Sequence, residues 1–122
     1  MNAALVFLGG GLGALLRHGV NRLALTFLGA SFPAGTMIVN VVGSLLMGLL
    51  VGLFAAHPAI SQPTRLFLAT GLLGGFTTFS AFSFDALNLY QRGQPGLALG
   101  YIAASVMLSL AAIAVGYSLA RA

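Results

Sequence analysis

The sequence predicts an all-α integral membrane protein with four transmembrane helices, of which the third is broken. Hydrophobic residues make up 59% of the 122-residue chain and charged residues only 5%, whereas soluble domains carry about 25% charged residues. A helix that crosses a bilayer needs about 20 apolar residues, so residues 1–122 fit a single four-span membrane domain without a separate soluble domain. Within one apolar run, the stretch 71–83 carries three glycines and four hydroxyl side chains, which is unusual for an ordinary span.

Turn residues divide the chain into its spans. Pro33 suits the first turn of the second helix, and His57-Pro58 ends that helix. The spans are predicted at about 3–28, 34–56, 63–90 and 95–119.

Glycines spaced by four residues predict close helix packing in the first two spans. The pairs are Gly9 with Gly13 and Gly48 with Gly52, which match the small-xxx-small pattern of membrane helix crossings. The stretch 9–14 superficially resembles a dinucleotide-binding glycine loop, but the strand and the acidic residue that this motif requires are missing.

The stretch 71–83 predicts a break in the third helix. Gly74-Gly75 followed by Thr77-Thr78 weakens a helix through backbone entropy and through side chains that compete for backbone hydrogen bonds. Carbonyls freed at membrane depth can hold a cation, and nearby hydroxyls can donate to an anion. Phe79 and Phe82 share a face if the helix resumes. The alternative is a tight helix crossing, with glycines for close approach and phenylalanines as filler.

Polar side chains at helical spacing predict polar faces on the second and fourth spans. Thr36 and Asn40 are four residues apart and therefore share one face. An amide in the membrane either joins helices or lines a route. On the fourth span, Tyr101, Ser105 and Ser109 place three hydroxyls on one face. For the serines, hydrogen bonding back to their own helix is the alternative.

The few charged residues limit the possible functions. Arg17 lies deep in the first span, where we expect it to face a vestibule or bind main-chain carbonyls rather than extend to the membrane interface. Asp85 is the only acid, and we expect it to cap a helix or pair with an arginine rather than to relay protons. The net charge of +4 is too dispersed for nucleic-acid binding. No nucleophile–base pair or metal-binding cluster indicates an enzyme.

The arginines predict how the chain inserts. With four spans, Arg65 and Arg121 lie on the side of the termini, and Arg22 and Arg92 lie on the other side. Orientation follows the Lys/Arg bias between the two sides, which is almost absent here. We therefore expect insertion in both orientations and an antiparallel, dual-topology homodimer, which is the two-chain equivalent of an inverted repeat. Such a dimer would bring two helix breaks together at the midplane.

Three blocks of this sequence resemble the Fluc (CrcB-type) fluoride channels. They are 9–17 (GGGLGALLR), 35–44 (GTMIVNVVGS) and 74–83 (GGFTTFSAFS), of which the third is the most specific. The hydroxyl face of the fourth span also matches, so the resemblance covers essentially the whole chain.

The resemblance implies a dual-topology homodimer in the bacterial inner membrane that exports fluoride passively through two routes. By match to the family motif, each route would be lined by Asn40, Phe79, Ser80 and Phe82. A polar track would continue it through Thr36, Tyr101, Ser105 and Ser109. Main-chain carbonyls of Gly74 and Thr77 would hold a structural sodium ion at the dimer centre.

Two other functions compete with this one. A small proton-coupled multidrug exporter also has four spans and dual insertion, but it needs a membrane-embedded carboxylate in the first span, for which Asp85 would have to substitute. A non-transporting membrane anchor or assembly subunit would leave the polar face of the fourth span unexplained.

Overall fold

The computed structural model describes residues 2–121 and contains four helices that are long and apolar enough to cross a membrane. The third of these, Gln62–Gln91, is assembled from several shorter segments. The elements in chain order are α1 (Asn2–Leu28), α2 (Ala34–Ala56), α3 (Gln62–Arg65), a π-helical segment (Leu66–Leu73), α4 (Gly74–Phe76), α5 (Phe79–Gln91) and α6 (Pro95–Arg121). The four long helices begin and end within two residues of the predicted spans.

The glycines of α1 bring this helix into backbone contact with the first half of the third span. The Cα of Gly9 lies 3.1 Å from where a Cβ on Gly71 would stand. A Cβ on Gly13 would lie 2.7 Å from the main-chain nitrogen of Phe76. Residue numbers rise together along the contact, so α1 and the third span run parallel. This confirms the close crossing that the glycine spacing predicts.

A second parallel pair forms between α2 and α6, which share the most extensive helix contact in the described chain. A Cβ on Gly48 would lie 2.8 Å from the main-chain nitrogen of Tyr117, and one on Gly52 would lie 2.6 Å from the Cβ of Ala120. Small residues therefore hold together both halves of the bundle.

We expect Gly13→Ala to destabilise the folded protein. The added methyl group meets the backbone of Leu72 and Phe76, which cannot rotate away as a side chain can, and such overpacking costs about 1–3 kcal/mol. Gly11→Ala is the matched control on the same helix, because nothing lies within 4 Å of its added Cβ. Thermal unfolding of both variants in detergent checks the prediction. Equal midpoints for the two variants would contradict it.

The third span breaks at Thr77 and Thr78, inside the predicted stretch 71–83. Gly74 is helical, with φ −62° and ψ −38°, and a Cβ on Gly75 would collide with the carbonyl of Gly10 in α1. Gly75 therefore serves close packing, as the alternative interpretation of this stretch held, whereas Gly74 is exposed. The extended residues are Thr77 (φ −88°, ψ 159°) and Thr78 (φ −154°, ψ 121°).

The arginines lie at both ends of the bundle. Arg65 donates from Nη2 to the carbonyl of Phe54 near the end of α2, at 3.4 Å, and Arg121 ends α6, which runs parallel to α2. At the opposite end, Arg92 lines a cleft together with the loop between α1 and α2. Arg22 belongs to the last part of α1, which leads into that loop. Two arginines therefore lie towards each end.

Candidate functional site

Asn40 of α2 holds the break through both polar atoms of its side chain. Its Nδ2 donates to the carbonyl of Thr78 at 3.0 Å, and its Oδ1 accepts from the amide of Thr78 at 2.8 Å. The sequence left open whether this amide joins helices or lines a route. In the structure it joins α2 to the break and also lines a cleft. Its second Nδ2 hydrogen is left over for another acceptor.

Arg17 of α1 binds the other side of the break. Its Nε donates to the carbonyl of Gly75 at 3.1 Å. In an unbroken helix that carbonyl would accept from the amide of Phe79. Of the two alternatives for Arg17, the structure shows the carbonyl contact. A cation there also stabilises the carbonyl end of the helical segment that stops at the break.

A cleft of about 380 Å³ opens between α2, the break and α6. It brings together side chains that are far apart in the sequence and that belong to three of the four spans. Those in the predicted site are Asn40, Phe79, Phe82, Ser105 and Ser109, and the others include Gly43, Ser44, Thr77 and Thr78.

Two phenylalanines line this cleft in different environments. Phe82 is buried, with 8% of its surface exposed, whereas Phe79 is 77% exposed. Their ring centroids are 5.5 Å apart, which confirms the predicted shared face. Phe82 also packs against the ring of Tyr101 at 5.3 Å. Phe79 therefore presents an aromatic surface that this chain alone leaves uncovered.

The hydroxyl face of α6 points into the bundle. Tyr101 and Ser105 are buried and Ser109 is half-buried. Among the described residues, the Oγ of Ser105 is buried without a hydrogen-bond partner, so the back-bonding alternative does not apply to this serine. Buried polar atoms are rarely left unsatisfied. Ser105 thus offers an unused donor at the wall of the cleft.

Thr36 lines a different cleft, of about 310 Å³, near the loop between α1 and α2. Its polar lining also includes Asn21, Asp85, Asn88 and Arg92. Tyr101 connects the two clefts, because its ring contacts Phe82 and its hydroxyl donates to Oδ2 of Asp85 at 3.1 Å. The structure therefore divides the predicted polar track between two clefts, and the buried Tyr101 lies between residues that line them.

The contacts of Asp85 and Ser80 differ from those that the sequence predicts. The hydrogen-bond partner of Asp85 in the described chain is the hydroxyl of Tyr101, not the arginine or helix end that we expected. Ser80 lines neither cleft; its exposed hydroxyl lies 3.2 Å from the Oγ1 of Thr78. Thr78, predicted only to weaken the helix, also caps α5, because its Oγ1 accepts from the amide of Ala81 at 3.2 Å. The sequence signal for this cap was a threonine directly before the residue at which the helix resumes, since threonine is a preferred N-cap residue.

The carbonyl oxygens at the break have the chemistry to bind a monovalent cation. An unbroken helix would bring the amide of Thr78 to the carbonyl of Gly74 and the amide of Ala81 to that of Thr77. Here the first amide donates to Asn40 and the second to the Oγ1 of Thr78. The carbonyls of Gly74 and Thr77 have thus lost their helical donors, and carbonyls of interrupted membrane helices are ligands for sodium.

Residues 4–117 match the family described as CrcB-like protein, Camphor Resistance (CrcB). The chain belongs to this CrcB-like family. The resemblance that the three sequence blocks carry is thereby confirmed.

The CrcB-like chain also matches curated relatives along its whole length. It is 54% identical over 122 residues to the fluoride-specific ion channel FluC of Rhodopseudomonas palustris strain BisB5, which covers 100% of this chain and 98% of the relative. It is 50% identical over 121 residues to the fluoride-specific ion channel FluC 2 of Nitrobacter hamburgensis, with 99% and 98% covered. The protein of the same name from Methylobacterium nodulans is 52% identical over 121 residues, with 99% and 97% covered. Together with its four membrane-capable helices, this makes the CrcB-like chain a multi-pass protein of the bacterial membrane.

Proposed function

We propose that this protein is a fluoride channel, not an enzyme, and that it exports fluoride passively from the cytoplasm across the inner membrane. The observation that carries the proposal is the cleft beside the break, where Asn40, Phe79, Phe82 and Ser105 meet. The names of the full-length relatives support it.

The chemistry of this cleft suits a small anion. Fluoride is strongly hydrated, so a route must replace its water with hydrogen-bond donors at short range, yet hold it weakly enough to release it. The spare Nδ2 hydrogen of Asn40 and the unpartnered hydroxyl of Ser105 are such donors. Neither carries a fixed positive charge that would trap the ion. The ring edges of Phe79 and Phe82 are electropositive and can contact a partly dehydrated anion.

The route continues along the polar track. Ser109 extends it within the first cleft, and Thr36 lies in the second. Between them the ion passes Tyr101, whose hydroxyl is bonded to Asp85. Ser80 adds an exposed hydroxyl beside Thr78 at the break.

The channel works as an antiparallel, dual-topology homodimer with two routes. The exposed ring of Phe79 and the exposed Gly74 lie at the break, where a second copy would cover them. The arginines, which lie towards both ends of the bundle, favour neither orientation. The inverted partner would bring its own break to the same midplane.

A sodium ion at the dimer centre completes the assembly. The carbonyls of Gly74 and Thr77 from each copy would hold it. The ion would take the place of the amide donors that these oxygens lost at the break. A bound cation there contributes positive potential close to the anion routes.

Efflux from liposomes that contain only the purified protein tests the proposal. We expect rapid fluoride release at a fluoride electrode, without chloride release, in sodium-containing buffer. Replacing sodium on both sides with N-methyl-D-glucamine should reduce the release towards that of protein-free liposomes. No fluoride release by a folded dimer, or equal chloride release, contradicts the channel. Uphill transport driven by an imposed proton gradient would instead indicate the exporter, whose carboxylate would have to be Asp85.

A further inference from the structure

We propose that Gly43 is a positioning residue that fixes the direction of the Thr77 carbonyl by receiving the methyl group of Thr77. This inference rests on the sodium site of the proposed function. It concerns a contact between α2 and the break that the sodium site itself does not include.

Two contacts fix the side chain of Thr77. Its Oγ1 donates to the carbonyl of Leu73 at 3.0 Å. Its Cγ2 packs so closely against Gly43 that a Cβ there would clash with it, and that Cβ would also lie 3.4 Å from Cδ2 of Phe76. A β-branched side chain that is held at both branches has a single χ1 angle available to it.

The direction of the carbonyl follows from the peptide plane. The carbonyl of Thr77 and the amide of Thr78 belong to one planar, trans peptide unit, so they point in opposite directions. The amide of Thr78 donates to Oδ1 of Asn40 in α2. The carbonyl of Thr77 therefore points away from α2. Asn40 holds one end of this peptide plane, and the Thr77 methyl group against Gly43 holds the other.

A larger residue at position 43 disturbs this plane. Because an alanine Cβ and the Thr77 methyl group cannot occupy the same space, Thr77 must rotate or shift, and its carbonyl moves with it. The packing density of protein interiors makes even one added methyl group costly. The predicted consequence is weaker cation binding.

A size exchange between the two residues tests the inference. Thr77→Ser removes the methyl group and keeps the hydroxyl, so it makes room for the methyl group added by Gly43→Ala. We measure the sodium concentration for half-maximal fluoride efflux, and separately the sodium-dependent rise in the unfolding midpoint of the purified protein, since an ion that binds the folded state stabilises it.

We expect Gly43→Ala to raise the half-maximal sodium concentration by about tenfold and Thr77→Ser to raise it by about threefold. The double variant should stay within about twofold of the native protein, because substitutions of residues in contact are usually coupled. Gly100→Ala is the control with open space around its added Cβ, and it should change nothing. Gly48→Ala, whose Cβ meets α6, should lower the unfolding midpoint without changing the sodium dependence.

The outcomes separate this inference from the proposed function. An unchanged sodium dependence in Gly43→Ala, or a double variant no better than Thr77→Ser, overturns the positioning role while the channel stands. If Gly43→Ala does not fold, the comparison of Thr77→Ser with the double variant decides. Native protein that conducts fluoride without any sodium dependence overturns the sodium site and this inference together.

Discussion

Asn40→Ala is expected to reduce fluoride efflux by at least about 100-fold. The change leaves the half-buried amide and carbonyl of Thr78 without their partner, and a polar group left unsatisfied costs up to about 1–3 kcal/mol when it is fully buried. The break can recover these bonds only by changing its conformation, which moves the adjoining carbonyls and the cleft wall. The variant also loses the spare Nδ2 hydrogen that we propose as a donor to the anion. The measurement is the initial rate of fluoride efflux from liposomes at matched protein content.

An amide elsewhere provides the control for Asn40. Gln91 is exposed at the end of α5, so Gln91→Ala should conduct like the native protein. Asn40→Asp retains an acceptor for the amide of Thr78 but loses the donor to its carbonyl, and we expect it to be impaired as well. An Asn40→Ala protein that conducts within threefold of the native rate would show that the break does not depend on this amide.

Phe82→Leu is expected to reduce efflux by at least about tenfold, which corresponds to a barrier increase of about 1.4 kcal/mol. Leucine keeps an apolar side chain in the buried position but removes the electropositive ring edge that the cleft presents. It also removes the ring contacts with Phe79 and Tyr101. The chloride rate, measured in the same liposomes, shows whether the loss is specific for fluoride.

Phe84 on the same helix is the matched control for Phe82. It is 64% exposed and lines neither cleft, so Phe84→Leu should leave efflux unchanged. The unfolding midpoint of both variants separates conduction from stability. Native efflux in Phe82→Leu, with the fold intact, would remove the ring edges from the mechanism.

The sequence predicted the spans well because their signals are local. Composition fixes the number of helices, and residues such as Pro33 and His57 mark their ends. The break lies inside the predicted stretch 71–83, but the role of Gly75 within that stretch was less predictable. Gly75 reads as a helix breaker in isolation, but its role depends on the backbone of Gly10 in α1, and no pattern within the third span reveals that neighbour.

The candidate site shows the same limit. Helical spacing correctly places Ser105 on an inward face of α6, because periodicity within one helix is enough for that. It does not show that Thr36 lines another cleft than Asn40. Nor does it show that Tyr101 bonds to Asp85, because this contact joins two different spans.

The break in the third span is held from both sides by other helices. A gap in the hydrogen bonding of a helix usually allows the two halves to move, but here Arg17 of α1 and Asn40 of α2 hold the residues on either side of the gap. The hydroxyl of Thr78 caps the first turn of α5, which begins at the next residue. The two halves of the span are therefore joined through α1 and α2 as well as through their own backbone. In the proposed channel, the wall of each fluoride route at this point would then be fixed by contacts with two other helices.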